Sequence, residues 1–218
     1  MAYVNLIKIA GFPRSGTGFT AKYLESLGFD AGHENSEYQV NVDWHHMPLF
    51  FKQFEGIDNG IFHERTLYAV VYRNPIATLN SALTLMNSSF EYMDRYIEQL
   101  FQEEFIISPY HYNTKIEKII ARMFCWYSMI LRHKEHVTIF EVNDLKDKKL
   151  TDKFAEHIGF EIDYDNVKPF DDVSYNSRVT RRSHGNWSWN TLADKVEQGL
   201  LANLDSVYKE LEKAKFIK

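Results

Sequence analysis

The chain has 218 residues, enough for one domain with a substantial core, and its 44% apolar and 25% charged residues are ordinary for a soluble globular protein. Its net charge of −5 lacks the basic excess that broad nucleic-acid or acidic-membrane binding requires, so any anion site must be local. Cys125, the one cysteine, lies in an apolar run and is predicted to be buried rather than a nucleophile.

The sequence predicts no membrane span, because no stretch of about 18 apolar residues without charges is present. The N-terminal residues do not combine a basic segment with a small-residue cleavage site, as a secretory leader would. We therefore expect a cytoplasmic protein.

The first third of the chain begins with an apolar run at 4–10 that predicts a buried strand. Helical spacing of apolar residues follows over about 19–27, and then a brief extended piece at 29–31. The segment 35–65 is rich in Asn, His and Phe, and we expect it to be an irregular substrate lid.

The remaining two thirds alternate strands with helices. The run at 66–72 is nearly continuous in apolar residues, as in a parallel strand covered on both faces, and Pro75 then suits the first turn of a helix. A helical insert is expected at 86–112, and a further strand at 137–142. Three more helices are predicted at about 115–134, 151–158 and 190–214, with loops over 165–190. This alternation predicts an α/β protein with a parallel sheet.

A glycine-rich loop, GFPRSGTG at 11–18, separates the first predicted strand from the first predicted helix. That order directs free backbone N–H groups and the positive end of a helix toward an anion. The glycines let the backbone approach oxygen atoms closely. Such a turn also exists without a ligand, so the loop alone leaves phosphate binding open.

The loop differs from an ATP or GTP site in the position of its cation. In the Walker A pattern GxxxxGK(S/T) the lysine position is here Thr17, and the cation comes earlier, at Arg14. The strand at 66–72 is followed by Arg73 and does not end in an aspartate that would support Mg²⁺. A metal-free donor suits such a site, because a side-chain cation and backbone donors can stabilise the bridging oxygen in sulfuryl transfer.

Two motifs resemble those of the sulfotransferases that use 3′-phosphoadenosine 5′-phosphosulfate (PAPS). FPRSGTGF at 12–19 resembles their 5′-phosphosulfate loop, and YRNPIATLNS at 72–81 resembles their signature R-(N/D)-P-x5-S, with Arg73 and Ser81 eight residues apart. VTIFEVNDL at 137–145 resembles the strand and (E/Y)-x-D-L of the same family. The resemblance, to small bacterial-type members, implies one domain over 1–218 with a three-layer, P-loop-type parallel sheet flanked by helices.

The resemblance also implies PAPS as co-substrate, its desulfated product PAP, and no metal. Arg14 takes the place that contacts the bridging and sulfuryl oxygens, the loop amides face the 5′-phosphate, and Arg73 with Ser81 faces the 3′-phosphate. The residues thereby assigned to the nucleotide are Arg14, Ser15, Gly16, Thr17, Gly18, Phe19, Arg73, Ser81, Arg181 and Arg182.

Some of these positions depart from the family pattern or have a second interpretation. Gly18 stands where many members have a hydroxyl residue, and Thr20 is a candidate to replace that contact. Phe19 either stacks on adenine or is the first core residue of the helix. Arg181 and Arg182 lie in only a loose analogue of the loop that closes over the nucleotide.

Glu34 is the first candidate for the general base that the reaction needs, and His33 is the second. Both follow a predicted strand next to the loop. His45, His46 and His63 are alternatives from the lid. These histidines lack the carboxylate spacing of a metal site.

The sequence therefore predicts transfer of a sulfuryl group to a hydroxyl or amine of a small-molecule or carbohydrate acceptor. Two alternatives stay open. A P-loop small-molecule kinase is disfavoured by the missing Walker lysine, and a nucleotide-binding module without activity differs only in lacking a working base.

Overall fold

The computed structural model describes residues 5–34, 37–44, 65–85, 90–91, 93–94, 97, 109–167, 170 and 187–216. The strands are β1 (Leu6–Gly11), β2 (Ala31–His33), β3 (Val40–Val42), β4 (Thr66–Tyr72) and β5 (Thr138–Glu141). The α-helices are α1 (Thr17–Ser26), α2 (Pro75–Ala82), α3 (Lys115–Arg132), α4 (Lys148–Ile158), α5 (Trp189–Ala193) and α6 (Gln198–Lys213). Short 3₁₀ helices span Pro109–His111 and Val142–Lys146.

The five strands form one parallel sheet in the order β2-β3-β1-β4-β5. Along β1 and β4, neighbouring residues on opposite faces are both buried: Ile9 and Val71 on one face, Ala10 and Val70 on the other, are each 0% exposed. Burial on both faces explains why these strands are almost wholly apolar. The predicted α/β fold with a three-layer parallel sheet is confirmed.

The chain divides into two compact units. The first comprises 1–73, 133–175 and 215–218, and the second comprises 74–132 and 176–214. The first unit holds the sheet, against which α1 and α4 pack through a core that includes Leu24, Phe140 and Phe154, each 0% exposed.

The second unit is helical in its described part. The predicted apolar stripe of α3 is buried, including Ile119, Met123 and Ile130, and α3 packs against α6. A buried ion pair joins Arg122 of this helix to Asp94, with Nε and Nη2 donating to the two carboxylate oxygens at 2.6 and 2.5 Å.

The segment 35–65 is not wholly the irregular lid that its composition predicts, because Val40–Val42 form β3. Three residues are too few to show an apolar period, and β3 is held by pairing with β1 on one side and β2 on the other. The strand predicted at 29–31 lies at Ala31–His33 instead. Residues 45–64 and most of the predicted insert at 86–112 lie outside the described residues.

The single helix predicted at 190–214 is two helices, α5 and α6, separated by residues 194–197. Buried apolar residues continue at four-residue spacing through the break, at Leu192, Val196, Leu200 and Leu204. The apolar periodicity therefore does not reveal that the helix is interrupted. Within the described residues, no helix has the length and apolar character needed to cross a membrane.

Candidate functional site

The predicted site residues of the first unit lie along the edge of the sheet at which its strands end. The loop 12–16 follows β1, and Arg73 follows β4, which pairs directly with β1. The chain leaves β1 toward β2 and β3 on one side, whereas β4 lies on the other side. Loops that diverge in this way form a crevice outside the carboxyl ends of the strands, the usual ligand position in open α/β sheets.

The loop alternates the sign of its backbone φ angles. Arg14 and Gly16 have φ values of 72° and 106°, whereas proline fixes a negative φ at Pro13 and Ser15 is not among the positive-φ residues. Such alternation turns successive N–H groups toward one concave side, which is an anion-binding geometry. A left-handed φ is unfavourable for arginine, so backbone strain is concentrated at this loop.

The first turn of α1 continues this concave surface. Gly16 is the N-cap residue and supplies no side-chain cap for the N–H groups that follow. Uncapped N–H groups and the helix dipole favour an anion at this end. Thr17 and Gly18, predicted to bind phosphate through their backbone, are the first two residues of the helix.

Close packing requires glycine at the last residue of β1, Gly11, and at the last residue of the loop, Gly16. A Cβ atom on Gly11 would lie 2.7 Å from the Val71 carbonyl oxygen, and one on Gly16 would lie 2.8 Å from a methyl group of Val142. The loop is thus held against the end of β4 and against the turn that follows β5.

Ser15 helps to shape the loop. Its hydroxyl donates to the Val71 carbonyl at 3.3 Å, and its backbone N–H donates to the Phe12 carbonyl at 2.9 Å. The side chain is fully buried. Both of its donors therefore have partners inside the protein.

Arg14 and Arg73 are close enough for their positive charges to interact. The pKa of Arg73 is lowered, first by the burial of its guanidinium group and second by the charge of Arg14, whereas Glu141 acts in the opposite direction. An anion between the two guanidinium groups would relieve both the repulsion and part of the desolvation.

The two candidate bases, His33 and Glu34, lie beside the loop at the end of β2. His33 Nε2 is 3.2 Å from the Thr17 hydroxyl oxygen and 3.8 Å from Glu34 Oε1. The Trp44 indole N–H donates to the same Glu34 oxygen at 3.1 Å, and Glu34 has a φ of 57°. Since Thr17 and Glu34 approach the same ring nitrogen, the group is not a relay in which a carboxylate orients the far side of the imidazole.

Phe19 packs in an aromatic cluster with Tyr23 and Phe170. Its ring centroid lies 5.1 Å from that of Phe170, edge to face, and 6.0 Å from that of Tyr23, and the side chain packs against the core. This environment supports the core interpretation of Phe19 over adenine stacking. Thr20 is 0% exposed, so it faces the protein interior.

The proposed partners of the 3′-phosphate belong to different units. Arg73 belongs to the first unit, and Ser81, 6% exposed on α2, belongs to the second. The Asn74 side chain between them caps α2 by accepting the N–H groups of Ile76 and Ala77 at 3.0 and 3.1 Å. The joint role of Arg73 and Ser81 stays a prediction.

Several other predicted residues lie outside the described part of the chain: Arg181, Arg182, His45, His46 and His63. Among the residues that the structure does describe, no group of three His, Cys, Asp or Glu side chains could hold a metal ion. Cys125 is buried as predicted, and burial raises the pKa of its thiol to about 12, so it is not a reactive thiolate.

Three residues near the site were not identified from the sequence: Trp44, Glu141 and Lys215. Trp44 becomes relevant only because β3 carries it to Glu34, and Lys215 only because the end of the chain returns to β5. Glu141 stands within a motif noted from the sequence, at the end of β5, but nothing in that motif indicated its effect on Arg73.

A scan against protein-family models gives no match, and a search among curated proteins gives none either.

Proposed function

We propose that the chain binds PAPS at the loop 12–16 and transfers its sulfuryl group to a hydroxyl or amine. The observation that carries the proposal is the convergence of Arg14 and Arg73 at the crevice between β1 and β4. The nucleotide has an anionic group at each end of its ribose. Two arginines beside a concave row of N–H groups suit such a ligand.

The kinase alternative receives less support from the same residues. A P-loop kinase relies on a lysine in the loop and on Mg²⁺ held partly by a carboxylate. Thr17 occupies the lysine position and directs its hydroxyl toward His33. A cation, Arg73, follows β4 where a metal-supporting carboxylate would stand.

In the proposed reaction the acceptor oxygen or nitrogen forms a bond to sulfur while the bond from sulfur to the bridging oxygen breaks, leaving PAP. Arg14 stabilises the negative charge that develops on the bridging oxygen, and the backbone N–H groups of Gly16, Thr17 and Gly18 hold the 5′-phosphate. Gly18 can contribute a backbone donor but no hydroxyl. Arg181 and Arg182 remain proposed contacts of the nucleotide.

We assign the general base to His33, with Glu34 as the alternative. His33 Nε2 already faces the loop through its 3.2 Å contact with Thr17, whereas the Glu34 carboxylate accepts the Trp44 N–H. The acceptor proton therefore passes to the imidazole and from there to solvent.

Transfer of labelled sulfate from PAPS to a panel of phenols, alcohols, amines and sugars tests the activity, with EDTA present. We expect turnover that Arg14→Ala lowers about 10²- to 10³-fold in kcat, because it removes a donor to the developing charge. Arg132→Ala, which removes an exposed arginine from α3, is the matched control and should retain the wild-type rate.

The base is tested with the same assay. His33→Ala should lower kcat by about 10²-fold or more, and Glu34→Gln should change it much less. The reverse order would assign the base to Glu34. If PAPS binds but no acceptor is turned over and neither variant changes more than affinity, the chain is a binding module and the proposed activity is wrong.

A further inference from the structure

A pocket lies at the outer edge of the sheet, where β2 faces α1. Its volume is about 220 Å³, and its lining includes Ala21 of α1 together with Ala31 and His33 of β2. All of its lining residues belong to the first unit. Pockets for drug-sized ligands have volumes of about 300–1,000 Å³, so this pocket suits a smaller molecule with a single ring.

His33 connects this pocket to the anion-binding loop. Its side chain, which is 34% exposed, lines the pocket, and its Nε2 lies 3.2 Å from the hydroxyl oxygen of Thr17, the first residue of α1. The pocket therefore adjoins both the proposed base and the loop that is proposed to hold the sulfuryl donor. An acceptor must be bound within reach of these two groups.

Tyr38 forms an aromatic wall of the pocket. It lies in the segment 35–65, which the sequence predicts to contact the substrate. Its ring packs so closely on Gly32 of β2 that a Cβ atom on this glycine would overlap the ring. The ring is thus held against the backbone, and yet 38% of the residue is exposed. An aromatic face that is fixed in this way and open to a pocket is suited to packing against the ring of a ligand.

Lys22 and Glu25 contribute the charged groups of the lining. They form an ion pair of 2.5 Å across one turn of α1, and their side chains are 58% and 53% exposed. The ammonium group can donate hydrogen bonds to ligand oxygens, and the carboxylate can accept them from ligand hydroxyls. Because the two charges compensate each other, the pair favours a neutral ligand that has several hydroxyls over a charged one.

We propose that this pocket binds the acceptor as a single neutral sugar ring, free or at the end of a glycoside. The proposal rests on the proposed function, because it names the acceptor of that reaction. A sugar ring offers C–H groups on its face to Tyr38 and hydroxyls on its rim to Lys22 and Glu25. The hydroxyl beside His33 gives its proton to the imidazole while its oxygen bonds to sulfur and PAP leaves. A simple phenol would also pack on Tyr38, but its one hydroxyl is needed at His33.

Binding is tested without PAPS, by saturation-transfer NMR with the methyl β-glycosides of glucose, galactose and mannose. We expect wild type to transfer saturation to at least one of them. Tyr38→Ala should weaken its binding about tenfold, whereas Tyr38→Phe keeps the ring and should stay within about twofold of wild type. Glu25→Ala should weaken binding roughly three- to tenfold, because it removes a charged hydrogen-bond acceptor that is partly exposed.

Two variants outside the pocket are the matched controls. Tyr164→Ala removes a tyrosine of equal exposure, 39%, whose hydroxyl donates to Asp152 of α4 at 2.7 Å. Glu210→Ala removes a glutamate that is 48% exposed and paired with Lys213 at 2.6 Å across one turn of α6. Both should bind the glycoside as wild type does. Glu25 is exposed, so Glu25→Ala keeps the test decisive even if Tyr38→Ala does not fold.

Sulfate transfer from labelled PAPS separates this proposal from the proposed function. Tyr38→Ala and Glu25→Ala should raise the KM for the glycoside and leave the KM for PAPS unchanged. The sugar proposal is overturned if no glycoside binds to wild type, if the pocket variants bind as wild type does, or if only phenols or amines are sulfated. If a glycoside binds in the pocket but PAP does not bind, the proposed function fails, and the acceptor role of the pocket fails with it.

Discussion

Arg14 and Gly16 hold left-handed backbone conformations two residues apart in the loop after β1. Glycine adopts such a φ without strain, whereas arginine does so at a cost. An arginine in that conformation, with its charge acting on a second arginine at the end of β4, is better explained by a ligand than by stability. Arg14 therefore indicates a ligand site because its backbone is held in a strained, left-handed conformation.

Gly16→Ala should destabilise the protein by about 2 kcal/mol or more, because alanine is strained at this φ and its Cβ would overlap Val142. Urea unfolding measures the change. Gly199→Ala in α6 is the control: its nearest contact would be 3.4 Å away, and alanine in a helix should stabilise by about 0.5–1 kcal/mol. A Gly16→Ala variant as stable as wild type would show that the loop tolerates a side chain and is not the close-packed element described.

Arg14 and Arg73 could be identified as candidate site residues from the sequence, because each stands in a motif that follows a predicted strand. Trp44 could not, since it reaches Glu34 only through the pairing of β3 with β2. For Phe19 the sequence allowed two environments, and only the ring of Phe170, far along the chain, distinguishes them.

Strand and helix patterns were most informative where elements are long. The sequence located β4 and α3 closely, because seven and eighteen residues carry a clear apolar pattern. It missed β3, whose three residues depend on neighbours on both sides, and it predicted α4 three residues late because the N-terminal cap at Asp147, which accepts the Lys149 N–H, was not recognised.

The buried ion pair fixes α3 to the segment that contains Asp94. Arg122→Met should cost about 3–5 kcal/mol in unfolding free energy, because it leaves the Asp94 carboxylate buried and unpaired. Arg122→Met with Asp94→Leu should cost clearly less than the two single changes added together. Chemical unfolding of the three variants measures this coupling.

Lys209→Met is the control for that series. It breaks an ion pair with Asp205 in which the side chains are 68% and 47% exposed, and it should change stability by less than about 1 kcal/mol. Additive effects of the two core changes would contradict the assignment of the Asp94–Arg122 pair as a coupled unit.

On the scale of the whole molecule, a chain with a net charge of −5 places two arginines, Arg14 and Arg73, at one edge of a parallel sheet. The fold class was predictable because strands and helices alternate, and alternation alone implies parallel strands whose carboxyl ends share an edge. The acceptor was not predictable, since the two segments expected to form its pocket, 35–65 and 86–112, carry no motif. The cytoplasmic location likewise stays a prediction.

The most direct test of the account is calorimetric titration of the wild-type chain with PAP in EDTA, beside ATP with Mg²⁺. We predict micromolar binding of PAP without metal, weaker binding of ATP, and a loss of at least about tenfold in PAP affinity for Arg73→Met but not for Arg132→Met. Failure of PAP to bind, or ATP binding that is tighter and depends on Mg²⁺, would contradict it.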